Sequence, residues 1–234
     1  MAKAYPIIRK VHSVLGAIVG VQIVLWIASG LFFTLFPIGQ IRGDYLRAPL
    51  SATISAPEDG FVAMETVAGT GGGEVERVEL RPFPGGAVYE VKTSFGVFLH
   101  DAASGDVLSP LDDKTARRVV LARWAGRGEL SDLSLVADAP AESGGKGREM
   151  WKADFEGVDK ATFWVDPYTG KLTAVRTPLW RTFDLMWGLH IMDWQNRETF
   201  TSWWIKLTAF ASLVFVFSGI WLVVRRILRG TLLV

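Results

Sequence analysis

Two long apolar stretches bracket this chain, and each is bounded on its outer side by Lys or Arg. One runs from about 11 to 38, behind Lys3, Arg9 and Lys10; the other runs from about 203 to 224, ahead of Arg225, Arg226 and Arg229. A hydrocarbon layer of ~30 Å needs about 20 helical residues, so both are long enough to cross it. No charge enters the first stretch. Lys206 enters the second near its start, where a long side chain can reach the interface. The expectation is a two-span membrane protein of α+β class, with everything between the spans on one side.

Basic tails at both ends put both termini in the cytoplasm. The chain holds 25 Lys and Arg against 24 Asp and Glu, and six of the bases lie in the tails, which carry no carboxylate. The stretch between them is therefore acidic, which argues against nucleic acid as a partner. The first apolar run is longer than the core of a cleaved signal, and no small-residue A-x-A site follows it; it reads as an uncleaved anchor. There is no cysteine, so disulfides, thiolate zinc, iron–sulfur clusters and thioether-attached haem are excluded. The expected division is a tail (1–12), a first span (11–38), a central domain (39–177), an interfacial amphipathic helix and turn (178–200), a second span (201–225) and a tail (226–234).

Within the first span Gly16 and Gly20 form a G-x-x-x-G pattern. It reads either as a helix-packing notch for Ala209, Ala211, Ser212, Ser218 and Gly219 of the second span, or as glycine that is simply common in membrane helices. After a short helix at 61–69, Gly71-Gly72-Gly73 breaks the chain. Alternating apolar residues then predict strands around Val75–Leu80, Val88–Val91 and Val97–Leu99. Asp112 or Asp113 caps a helix through Trp124. Residues 138–147 read as loop, and strands resume at 150–155, 161–165 and 171–175. Phe98 to Leu108 matches Phe163 to Thr173 at an offset of 65, each a strand, an Asp-x-x-[ST]-Gly turn and a strand. This reads as a duplicated small α+β unit, or as a common hairpin turn used twice. From Pro178 to Trp194, Leu179, Phe183, Trp187, His190 and Trp194 share one helical face, with Arg181, Asp184 and Asp193 turned away. That pattern suits a helix at the membrane surface. Asn196 or Thr199 is placed to cap the second span.

No Ser-His-Asp order, H-E-x-x-H helix or phosphate-binding glycine loop appears, and the acidic residues lack calcium-loop spacing. The chain has three histidines. His100 falls on a predicted strand, while His12 and His190 fall at the ends of the spans. A neutral imidazole there could be an axial ligand for haem iron, or an interfacial group bonded to a carbonyl or a headgroup. Opposite ends of a bilayer-spanning helix lie roughly 25–35 Å apart, so one haem cannot take both. A second copy or a partner subunit would have to complete each site.

Arg9 to Gly16, Trp26 to Leu31 and Ile41 to Asp44, together with Leu189 to Trp194, Phe217 to Leu222 and Arg225-Arg226, resemble the membrane helices of PepSY-associated transmembrane proteins. The repeated strand–turn–strand unit resembles the PepSY module. The resemblance implies a bacterial inner-membrane protein with a periplasmic PepSY-like domain. Larger four-helix relatives resemble b-type haem reductases of ferric chelates, fed by a cytoplasmic flavoprotein, and their ligand positions correspond to His12 and His190 here. Other PepSY proteins resemble non-enzymatic accessory or regulatory binding subunits.

Overall fold

The computed structural model describes residues 4–50, 53–70, 72–195, 197, 199 and 201–230. Two compact units emerge. One holds the chain up to Pro37 and from Arg181 onward; the other holds Ile38–Trp180.

The first unit is built from α1 (Ala4–Leu35) and the last helix of the chain, Trp203–Leu228. These are two helices long and apolar enough to cross a membrane. No residue of the last helix is buried, and Ile18, Val24, Phe210 and Phe217 are all more than 60% exposed. A core helix of a soluble protein would hide such residues; a helix whose solvent is lipid does not. Helix α1 begins earlier than its predicted tail boundary, so residues 4–12 are its first turns. The last helix runs past its predicted end and keeps Arg225 and Arg226 helical. Its cap is Ser202, whose hydroxyl accepts from the Ile205 amide at 3.4 Å. This corrects the assignment to Thr199, whose amide donates to Asp193 instead. Asn196, like Gly71 and Lys3, lies outside the described residues.

The second unit begins with α2 (Ile38–Ile41) and α3 (Met64–Ala68), followed by β1 (Val75–Phe83), β2 (Gly86–Thr93) and β3 (Gly96–Asp101). Next come α4 (Asp113–Arg123), β4 (Gly128–Val136), β5 (Met150–Gly157), β6 (Ala161–Val165) and β7 (Leu172–Arg176). The strands form two antiparallel meanders, ordered β1-β2-β3 and β4-β5-β6-β7. A helix precedes each. Asp112 is the cap of α4, accepting from the Thr115 amide at 2.8 Å. Hydrogen bonding from Thr115 holds the Asp112 carboxyl below its ordinary value.

Strand β6 reads Ala-Thr-Phe-Trp-Val and is buried at every position, as expected of a strand covered on both faces. One apolar core draws Val88 and Leu99 from the first sheet, Val119 and Val120 from α4, and Phe155 and Phe163 from the second. Trp124 stacks on Phe155 with ring centroids 4.0 Å apart. The two Asp–Gly turns fold alike. Asp101 Oδ1 accepts from the amides of Ala103 and Ser104 at 2.8 and 3.0 Å. Asp166 Oδ1 accepts from Tyr168 and Thr169 at the same two distances. Gly105 and Gly170 close the turns at φ 82° and 61°, a region where L side chains are strained.

The remaining helix, α5 (Pro178–Ile191), enters the first unit at Arg181; the last helix is therefore α6. Phe183, Trp187 and His190 of α5 pack on Phe33 of α1, at ring centroid distances of 5.0, 6.1 and 5.4 Å. The face assigned from sequence to the bilayer surface is thus covered in part by another helix. On its other side Asp184 pairs with Arg197.

Candidate functional site

His12 and His190 share the helical unit but stand far apart within it. His190 reaches α1 at Ser29, 17 residues along the helix from His12, which is about 25 Å at 1.5 Å per residue. Each imidazole is half-buried and each is held by a serine.

His12 Nδ1 lies 2.9 Å from Ser218 Oγ and 3.1 Å from the Phe215 carbonyl, both on α6. Ser218 already donates its hydroxyl proton to the Phe215 carbonyl at 2.7 Å. A hydroxyl has one proton to give, so its oxygen accepts from His12, and Nδ1 is the protonated nitrogen. A matching serine contact lies at the other end. His190 Nδ1 lies 2.8 Å from Ser29 Oγ, and Ser29 donates to the Leu25 carbonyl at 2.6 Å. Ser29 is 1% exposed. The Trp26 indole N–H donates to the His190 carbonyl at 2.8 Å. The Phe215 carbonyl can only accept, so the His12 ring is held as the Nδ1–H tautomer, which leaves its Nε2 lone pair available as a base or metal donor; His190 takes the same tautomer when Ser29 spends its proton on the Leu25 carbonyl.

The packing around His12 differs from the small-on-small contact read from Gly16 and Gly20. A Cβ on Gly219 would lie 3.0 Å from the His12 ring, and a Cβ on Gly16 would lie 3.0 Å from the Phe215 ring. The two rings fill each other's notches and stack at 4.4 Å, nearly parallel. Gly20 meets nothing within 4 Å, so only half of the G-x-x-x-G pattern is used between these two helices. Nearby, the Arg225 guanidinium lies over the Tyr5 ring at 4.2 Å.

His100 sits elsewhere, fully buried on β3. Its ring nitrogens approach Thr70 Oγ1 at 3.3 and 3.4 Å, an arrangement that reads as a satisfied core histidine. The central unit also buries Glu90, which is 5% exposed. It pairs with Arg81 and Lys171 at 2.8 Å each. Burial alone would raise the Glu90 carboxyl, but the Lys171 hydrogen bond and the charges of Arg81 and Lys171 outweigh it and hold it below its ordinary value. Arg81 also donates to the Thr169 carbonyl, so this trio ties the first sheet to the turn that follows β6. Asp101 and Asp166 spend their Oδ1 atoms on backbone amides. Among the described residues no three His, Cys, Asp or Glu side chains gather as a metal site.

Sequence reading located the two histidines and named Ser218 only as a packing residue; it did not pair Ser29 or Ser218 with them. Each serine lies more than 160 residues from its histidine, beyond the reach of any local pattern.

These features define an α+β chain with two candidate membrane-spanning helices flanking antiparallel sheets. Compared with protein-family models, curated proteins and solved structures, the chain matches none.

Proposed function

We propose that this chain is a PepSY-associated inner-membrane protein that serves as a transmembrane electron-transfer module, with b-type haem held by His12 near the inner face and His190 near the outer. The observation that carries this reading is that each half-buried ring meets a serine through Nδ1, so that with the serine proton spent on its own helix Nε2 is free. An axial imidazole ligand needs that state. Gly219 adds room for the His12 ring. A haem so held supplies one-electron chemistry. One copy offers a single imidazole at each level, so a second copy or a partner membrane subunit completes each site. Both termini lie in the cytoplasm in this reading, where a flavoprotein is the donor, and the sheets lie in the periplasm, where the acceptor is a ferric chelate. The helix-plus-meander halves with matching turns support a duplicated PepSY-like unit in the central domain.

The test is an absorbance spectrum, oxidised and reduced, of protein purified from membranes of cells supplied with haem. A Soret band lost in both His12→Ala and His190→Ala supports the assignment; a colourless wild-type protein removes it. The second reading is an anchored, non-enzymatic accessory subunit. It is favoured by an open groove in the central domain, and it stands if both alanine variants keep full function.

A further inference from the structure

We propose that the open edge of β3 binds an extended polypeptide segment carrying a carboxylate, which adds a strand to the first sheet. Strand β3 lies at the end of its sheet. Residues 106–109 already pair with the C-terminal half of its outer edge. Asp101 donates to the Asp106 carbonyl at 2.9 Å and Leu108 donates to the Leu99 carbonyl at 2.8 Å. The Leu99 amide donates to Ser109 Oγ at 2.8 Å. The pairing stops at Pro110, which has no N–H to give, and the chain turns off to place Leu111 against the Pro167 carbonyl. Backbone groups alternate sides along an antiparallel strand. Leu99 points its N–H and C=O outward, and so does Val97, two residues earlier. No described residue outside the sheet takes the Val97 groups.

That vacant stretch of edge forms one wall of a groove of about 540 Å³. Phe95, Phe98 and Tyr168 line it, with Phe95 78% and Tyr168 43% exposed. Arg148 supplies the charge at its rim. Its side chain is 62% exposed, and its contact with Asp166 is a long 3.8 Å. The Asp166 side chain is only 16% exposed, with Oδ1 committed to its turn, so the charge that projects is positive. Unpaired strand edges recruit strands, with main-chain bonds giving affinity and side-chain pockets giving selectivity. The guanidinium selects a carboxylate and the rings select apolar neighbours.

The test uses the full chain, immobilised in nanodiscs, and two randomised pentapeptide libraries, one with a fixed central Glu and one with a fixed central Lys, with retained peptides read by mass spectrometry. Wild-type protein is expected to retain alternating apolar Glu peptides roughly tenfold above the Lys library. Val97→Pro removes one outward N–H while leaving the bonds to β2, and is expected to lose retention about tenfold. Val97→Ala keeps the N–H and is expected to bind as wild type, and a thermal unfolding midpoint of Val97→Pro near that of wild type separates edge pairing from misfolding. Arg148→Gln is expected to abolish the preference for Glu. Retention by wild type no better than by Val97→Pro overturns the proposal. A concentration-dependent dimer that Val97→Pro dissolves, without peptide retention, also overturns it and makes a second copy the occupant.

Discussion

A single hydroxyl proton decides the chemistry available to His190 but not to His12. His190 has Ser29 as the partner of Nδ1, whereas His12 has both Ser218 and the Phe215 carbonyl. Ser29→Ala is therefore expected to leave His190 as a mixture of tautomers, while Ser218→Ala leaves His12 largely Nδ1–H. Nitrogen-15 spectra of histidine-labelled protein, at a pH where both rings are neutral, read this directly; an unchanged His190 in Ser29→Ala would refute the assignment. In the central domain, Glu90 is a buried charge paired with Arg81 and Lys171. Glu90→Gln leaves Arg81, only 16% exposed, without its counter-charge, and a loss of about 3 kcal/mol is expected in denaturant titration. The sign of the pH dependence follows from the lowered carboxyl. The ion-pair contribution is fully present above the unfolded value near 4.5 and is lost as pH falls through the lower folded value. Wild type should therefore lose stability on acidification through that window. Glu90→Gln should lack this component.

At the scale of elements, the contact between α1 and α6 is a pair of rings set into a pair of glycine notches. Gly219→Val places methyl groups where the His12 ring lies, and a loss of about 1–3 kcal/mol in helix pairing is expected. Gly20→Val fills open space and is expected to be near neutral; thermal unfolding in detergent compares the two. The Asp-x-x-[ST]-Gly turns make a second comparison. Asp166→Ala strands the amides of Tyr168 and Thr169 and should cost about 1–2 kcal/mol. Strand β4 shows how an element hides from sequence. Leu130, Leu133 and Leu135 do not keep a period of two, because a bulge between Leu130 and Asp132 shifts the register. The extra residue moves the later leucines onto the same face while breaking the alternation that signals a strand.

At the scale of the whole molecule, the two long helices and the charge of the tails make a prediction that depends on no cofactor. Reporter domains fused at either terminus are expected to be active only when cytoplasmic, and a reporter inserted at the exposed Val158 only when exported. An exported terminus would reverse the order of the two histidines across the bilayer. The sequence alone located the two long apolar helices, a helix cap at Asp112 or Asp113, and the paired turns. Each rests on composition or on contacts within a few residues, where chemistry and chain position coincide. The histidines were also legible, as rare polar groups at the ends of apolar runs. Only the tertiary structure decided which nitrogen of each ring is free, which glycines serve as notches, and that Val97 is left at an open edge. All three depend on partners brought together from distant parts of the chain, and sequence spacing carries no record of such encounters.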